Sequence, residues 1–223
     1  MKLDFNLKLA QTKLGVMFKT PKLIKTAFTH SSYANENHLA SNERLEFLGD
    51  SILGLVVTEI IYERTNLNEG NLSKLRSLIV SEAPLAKVVD EMGLEELMLK
   101  GVGESKNKSS NATKCDLYEA IIGAIYLDLG LASTKKFIKK TLSPTINEVL
   151  GLNDLEDSKT RLQETIPHKT IKYFTDQVTS SNIPYFRSVV KINDINCGVG
   201  EGPNKRSAEQ MAAKEALKKI KEI

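Results

Sequence analysis

Three carboxylates on one side of an otherwise apolar helix constrain this chain more than any other feature. The segment NERLEFLGDS, Asn42 to Ser51, runs on into ILGLVVTEII and reads as a helix. With Glu43 set to zero and a step of about 100° per residue, Glu46 falls near 300° and Asp50 near 340°, so the three acids share a face. Leu45, Leu48, Ile52, Leu55 and Val56 form a core stripe opposite them, yet Phe47, Leu53, Gly54 and Val57 lie on the acid side as well. A solvated polar face is the usual meaning of an acidic stripe, but a helix apolar nearly all round is expected to be buried. Buried carboxylates must shift their pKa, pair, or hold a metal, because unpaired charge in a low dielectric is costly.

A second segment repeats the pattern. Asp116 to Leu129 reads DLYEAIIGAIYLDL, apolar around its circumference except for Asp116 and Glu119 at the front. Their i, i+3 spacing puts both carboxylates on one face. Small residues Ala120, Gly123 and Ala124 predict a close approach to another helix, which would let the two acidic patches meet. The helix dipole would account for Asp116 alone. Arg44 and Lys114 are the adjacent cations, so the local charge stays negative, and a hard divalent cation bound through oxygen is the natural compensation. A di-iron carboxylate site wants Glu-x-x-His, but His30, His38 and His168 are preceded at that spacing by Ala27, Asn35 and Thr165. Zinc wants clustered Cys and His, whereas Cys115 and Cys197 stand far apart. Magnesium or manganese remains, and such ions suit phosphodiester hydrolysis.

The chain changes character near its C-terminal third. Upstream it reads as helices punctuated at Pro21, Gly70, Pro84, Gly93 and a Gly101 to Lys114 loop. After a helix break expected at Pro144, the stretch LGLNDLED, Leu150 to Asp157, reads as a short linker. Beyond it come a short helix over Lys159 to Ile166, strands over Ile171 to Thr179 and Tyr185 to Ile192, and an Asn193-Asp194 turn into a third strand. A final helix spans Ser207 to Ile220 with Ala208, Met211, Ala212, Ala216 and Ile220 inward. Bulk charge gives no hint of a nucleic-acid binder: residues 1–150 hold 19 Lys and Arg against 18 Asp and Glu, and residues 151–223 hold 12 against 10. Any phosphate contact must come from local patches. Lys135, Lys136, Lys139 and Lys140 read as a solvated face around Phe137, Ile138 and Leu142. The start, MKLDFNLKLA, has no continuous apolar run, no stretch reaches membrane-span length, and two cysteines in no motif fit a reducing compartment. A cytoplasmic protein is expected.

At its acidic helices the chain resembles the bacterial ribonuclease III endonucleases. NERLEFLGDS matches the family signature, and the match extends outward, in order and spacing, through AFTHSSY (Ala27 to Tyr33), EGNLSKLRSLIV (Glu69 to Val80) and DLYEAIIGAIYLD (Asp116 to Asp128). The resemblance implies an all-α nuclease domain over 6–148, a linker over 149–156, and a second domain over 157–223. It assigns Glu46, Asp116 and Glu119 as metal ligands, Asp50 and Glu119 as the catalytic carboxylates, and Glu43 and Glu69 as supporting acids of the cleft. Magnesium, with manganese as substitute, is the implied cofactor, and neither a covalent enzyme intermediate nor a small-molecule cofactor is expected. The implied enzyme is a homodimer that cuts both strands of double-stranded RNA. Its products would carry 5′-phosphate and 3′-hydroxyl ends with a short 3′ overhang, as in maturation of ribosomal RNA precursors. Phe47 suits a two-fold contact or ordinary core packing, and His30 reads as a structural hydrogen-bonding residue.

The C-terminal α-β-β-β-α order resembles the double-stranded-RNA-binding domain, through DSKTRLQE (Asp157 to Glu164) and GVGEGPNKRSAEQMAAKEAL (Gly198 to Leu217). By that resemblance Thr160, Gln163 and Glu164 meet the minor groove and its 2′-hydroxyls. Lys205 and Arg206 reach phosphates at a helix N-terminus, and the preceding glycines are read as permitting close backbone approach. Two places depart from the family pattern. The Gly-Pro-x-His loop between the first two strands is replaced by SSNIPYF, Ser180 to Phe186, shorter and without the histidine. The apolar run before the second acidic helix is replaced by polar NATKC, Asn111 to Cys115, read as a loop. The alternative readings are a non-catalytic double-stranded-RNA-binding or ribosome-associated protein and a metal hydrolase of small phosphates. The former conflicts with the complete acid set, and the latter leaves the C-terminal domain without a use.

Overall fold

The computed structural model describes residues 5–104, 108–156, 158–180 and 183–221, and the chain divides into two compact units, Met1–Asn147 and Glu148–Ile223. The first unit is built from α1 (Leu7–Leu14), α2 (Pro21–Ala27), α3 (Ser31–Asn37), α4 (Glu43–Arg64), α5 (Glu69–Ile79), α6 (Glu82–Glu91), a 3-10 turn at Glu95–Leu97, and most of α7 (Asn111–Glu156). Local chemistry sets the helix starts. Asn6 and Asn68 cap α1 and α5, accepting from the N–H groups of Leu9 and Asn71 at 3.0 Å each, as short polar side chains do at N-caps. Pro21 opens α2, where its missing N–H costs nothing. The Asp128 carboxylate accepts from Lys19 and Thr20 N–H at 2.6 and 2.9 Å, just ahead of α2.

The core of this unit forms around α7, whose Leu117, Tyr118, Ile121, Ile122 and Ile125 are fully buried. Tyr118 carries its hydroxyl inside by pairing with Thr141 at 2.6 Å and stacks on Phe137. At Gly130 the backbone leaves helical geometry with φ +77°, so the acidic segment ends in a kink there. Two expectations fail along α7. Asn111 to Cys115 is not loop but the first helical turn, with Ser110 accepting from Thr113 N–H; polar residues at a helix start resemble a loop in composition. Pro144 does not break the helix, because it sits exposed and leaves the lost carbonyl partner to water. The stretch 149–156, which follows the boundary between the two units, is helical, since among its residues only Gly151 is a strong helix breaker.

The second unit runs α8 (Ser158–Thr165), β1 (Ile171–Ser180), β2 (Ile183–Ile192), β3 (Ile195–Gly202) and α9 (Lys205–Lys221). The three strands form an antiparallel sheet in the order β1-β2-β3. Asn193 and Asp194 both take positive φ, 49° and 64°, which a tight hairpin turn requires. Ser180 pairs with Ile183, so only Ser181 and Asn182 of the substituted loop intervene, and both lie outside the described residues. Leu162, Val190, Ile192, Ala212, Ala213 and Ala216 make the core. Met211, expected inward, is exposed at 39%, and Ala213 takes its place.

The Gly-x-Gly-x-Gly run has a different reason from the one read in the sequence. A Cβ at Gly198, Gly200 or Gly202 would collide with α9, at Ala212, Ala208 and Ser207 respectively among other atoms. The glycines let β3 lie against the helix backbone. Close approach is real, but the approaching partner is the protein itself.

Candidate functional site

The acid cluster exists because α4 and α7 touch backbone to backbone. A Cβ on Gly49 would overlap the main-chain carbonyl of Glu119 and come within 3.1 Å of Gly123 N, while one on Gly123 would overlap the carbonyl of Leu45. Two glycines therefore form the crossing, one from each helix. Gly123 was legible as a small-residue position, whereas Gly49, inside LGD, was not. The contact brings Glu46 and Asp50, on either side of Gly49's turn, within reach of the charges of Asp116 and Glu119.

Glu46 and Glu119 feel the acids around them. Burial raises the Glu46 pKa, and Asp116, Glu43 and Asp50 add to it. Burial also pushes Glu119 up to about 7, reinforced by Asp50, Glu46 and Asp116 and partly opposed by a hydrogen bond from Cys115. Asp116 is raised by burial and then by Glu82, while His30 pulls it down. Glu82 is thus a further acid near the cluster that sequence reasoning missed; it stands in the apparently ordinary VSEAP turn. The cluster is less buried than the helix wheel implied. Glu43 and Asp50 are exposed, and Glu46, Asp116 and Glu119 are half-buried. Phe47 is 79% exposed and not in the core, and Leu55, expected in the core stripe, is 58% exposed. The face was misassigned because a helix with apolar residues all round gives no sign of which side lacks a partner within the subunit.

The supporting acids separate. Glu43 sits at the start of α4 and accepts from Ser41 Oγ at 2.8 Å, and its charge reaches Glu46. Glu69 opens α5, accepts from Ser73 Oγ at 3.0 Å, and is not among the main charges acting on Glu46, Asp116 or Glu119. His30 does what its structural reading predicted. Its Nδ1 accepts from Ser32 N–H at 3.3 Å at the start of α3, and the ring lies near enough to Asp116 to lower that acid's pKa.

Lys114, one of the two cations adjacent in sequence, points away from the acids. It is 4% exposed and its Nζ lies 2.7 Å from Asp90 and 3.5 Å from Glu95. Glu95 also meets Lys100 at 3.1 Å and accepts from Ser109 N–H at 2.6 Å. The first turn of α7 is thereby tied to α6 and to the segment leading into it. Burial alone would raise the Glu95 pKa, but the Ser109 N–H and Lys100 hold it at about 2. Because the folded value lies below the unfolded one, this group's contribution is full above about pH 4.3 and is lost as the pH falls toward 2. Glu95→Gln should therefore lower urea-unfolding stability at pH 7 by about 1–3 kcal/mol, with the gap to wild type closing in acid. A gap independent of pH would show that the carboxylate charge is not what matters.

With the nearest lysine withdrawn, the donor set is oxygen-rich and self-repelling. Such a set suits a hard divalent cation. Asp116 and Glu119, with Cys115 beside them, place ligand atoms within 4.8 Å of one another.

In the second unit the five expected RNA contacts, Thr160, Gln163, Glu164, Lys205 and Arg206, are all exposed. Lys159 ties α8 to α9, with its N–H donating to Gln210 Oε1 at 3.0 Å and its Nζ to Glu209 at 2.6 Å. Asn204 caps α9 by accepting from Ser207 N–H at 2.9 Å. Lys205 and Arg206 therefore stand in the first turn of a capped helix, where the dipole favours anions. Lys135, in the other unit, pairs with Glu59 at 2.6 Å, in keeping with a solvated face.

The geometry has counterparts among known proteins. The Ribonuclease-III-like family matches residues 20–146, and the double-stranded RNA binding motif matches residues 158–220. Ribonuclease 3 of Bacillus cereus strain AH820 and of Bacillus anthracis strain A0248 are each 40% identical over 96% of this chain and 91% of their own. Two structures of the ribonuclease III nuclease domain from Campylobacter jejuni are 36% identical and covered over 97% of their length. They span 62% and 65% of this chain, with TM-scores of 0.59 and 0.58. One of the two is described as flexible in a region involved in dimer formation. Paired acidic helices ahead of a double-stranded-RNA-binding fold define a class of nuclease that works on duplexes. The chain belongs to the ribonuclease III family, endoribonucleases acting on double-stranded RNA.

Proposed function

We propose that this chain hydrolyses phosphodiester bonds of double-stranded RNA with a divalent cation, magnesium or manganese, held by Glu46, Asp116 and Glu119. The observation that carries this reading is the backbone contact at Gly49 and Gly123, which assembles four carboxylates while Lys114 is turned away. When bound, the cation supplies Lewis-acid activation of the attacking water and neutralises charge at the leaving oxygen. Asp50 and Glu119 are the catalytic carboxylates. Asp50, exposed one turn beyond Glu46, accepts a proton from water, and Glu43 and Glu69 support the acidic cleft. The products are 5′-phosphate and 3′-hydroxyl ends, and precursors of ribosomal RNA are natural substrates for a cytoplasmic enzyme of this kind.

A homodimer accounts for the exposed side of α4. Phe47, Leu55 and Tyr62 are 79%, 58% and 71% exposed and lie within about 80° of one another at about 100° per residue. Leu55 and Tyr62 line a groove with Thr58, Glu59 and Lys135. Exposed apolar surface of this extent marks an association site. Two subunits would bring two acid clusters to one duplex and leave a short 3′ overhang. The membrane plays no part in this reading, and among the described residues no helix is long and apolar enough to cross one.

The direct test is cleavage of labelled duplex RNA under defined metal. Magnesium or manganese should support turnover, whereas calcium, with longer and looser coordination, should support binding with little cutting. Full activity after exhaustive chelation would sink the metal reading. For the second unit, the double variant Lys205→Ala and Arg206→Ala should weaken duplex binding without sequence preference. Each lost phosphate contact should lower the slope of log affinity against log salt by roughly one unit. An unchanged slope would return both residues to the solvated surface.

A further inference from the structure

We infer that Cys115 is a positioning residue for the metal site, its thiol donating to Glu119 and setting that carboxylate's orientation before any ion binds. The inference rests on the proposed role of Glu119. Cys115 lies one helical turn ahead of Glu119 on α7, and its Sγ is 3.6 Å from Glu119 Oε1. The thiol is only 7% exposed, so it is enclosed beside the carboxylate and shielded from competing water. Its own placement is fixed from the other side. The neighbouring Lys114 is anchored to Asp90 and Glu95, which holds the first turn of α7 against α6.

The physical need for such a partner is plain in the cluster. Glu119 is surrounded by Asp50, Glu46 and Asp116, all of which repel its charge, and a carboxylate on a flexible stem would swing away from them. A donor on Oε1 opposes that motion. An S–H group this close to a carboxylate oxygen has that oxygen as its acceptor. Outer partners of ligating side chains commonly act in this way, orienting the ligand so that less freedom is lost on coordination. The Cys115 thiol is a weak donor, which places its effect at the low end.

The test is manganese binding to the full chain without RNA, read from loss of the free-ion paramagnetic resonance signal, across four variants. Cys115→Val fills the space, with one branch more, and removes the donor, Cys115→Ala removes both, and Cys115→Ser keeps a donor. Val and Ala should each weaken manganese affinity by about 10-fold, the low end for an outer partner, and Ser should restore most of it. The manganese concentration giving half-maximal cleavage should move in parallel. Packing alone predicts a different pattern, with Val close to wild type and Ser resembling Ala, and that result would overturn the inference. So would equal affinity in all three Cys115 variants and wild type. Glu119→Gln is the fourth variant. If it alone loses manganese, the site stands and the role of Cys115 falls; if it binds as wild type does, the site assignment itself fails.

Discussion

Glu119→Gln is expected to reduce duplex cleavage by more than the roughly 100-fold that losing an outer partner of a metal ligand can cost, while duplex binding stays close to wild type. The amide keeps the shape of the side chain but cannot supply an anionic ligand. The same variant should show an opposite effect on stability. Glu119 in the folded protein titrates at about 7, above its unfolded value of about 4.3. Ionising it therefore favours the unfolded chain progressively as pH rises between those values, and the penalty is complete above pH 7. Without metal, Glu119→Gln should be more stable than wild type at pH 8, and the difference should vanish near pH 4. A divalent cation should reverse the order, because ligation needs the deprotonated acid. Urea denaturation at the two pH values, with and without magnesium, checks the sign. Near-normal cleavage at saturating RNA and magnesium would remove Glu119 from the site.

Gly49→Ala should be nearly as damaging, although it touches no acid. In an isolated helix the change would stabilise by about 1 kcal/mol. Here the added methyl falls on the main-chain carbonyl of Glu119, and backbone cannot rotate aside as a side chain can. Overpacking of this kind costs about 1–3 kcal/mol, so the net effect on folding is modest and unfavourable. The effect on cleavage is larger. Moving α4 off α7 by even 1 Å separates Glu46 and Asp50 from Asp116 and Glu119, and misplacement on that scale can cost about 100-fold. Gly151→Ala, in a helix where a Cβ would meet nothing within 4 Å, is the control and should fold at least as stably as wild type. Equal activity for the two variants would show that the crossing tolerates expansion.

The parts of this site that could be read from the sequence are those whose residue type is costly anywhere else. Carboxylates on helices rich in Leu, Ile and Val needed an explanation, and Ala120, Gly123 and Ala124 announced a helix contact. The partner glycine could not be read, because one glycine within LGD looks the same whether it faces a backbone or open water. The direction of Lys114 was equally hidden, since Asp90 and Glu95 lie far from it in the chain and only the fold brings them near. NATKC looked like loop because N-caps and loops draw on the same polar residues. The β3 glycines show the same limit from another side: glycine reveals that something comes close and leaves the identity of that thing to the tertiary structure.

Lys114's commitment to Asp90 and Glu95 also bears on the order of events when this protein meets its substrate. The acid cluster is left as a concentration of negative potential, and a duplex is itself a dense line of negative charge. At physiological salt their repulsion extends over about 8 Å, the screening length. On the proposed roles, an approaching strand would be held off the acid cluster until a cation neutralised it, while Lys205 and Arg206 would attract it in the meantime. Capture and commitment would then fall to different parts of the chain.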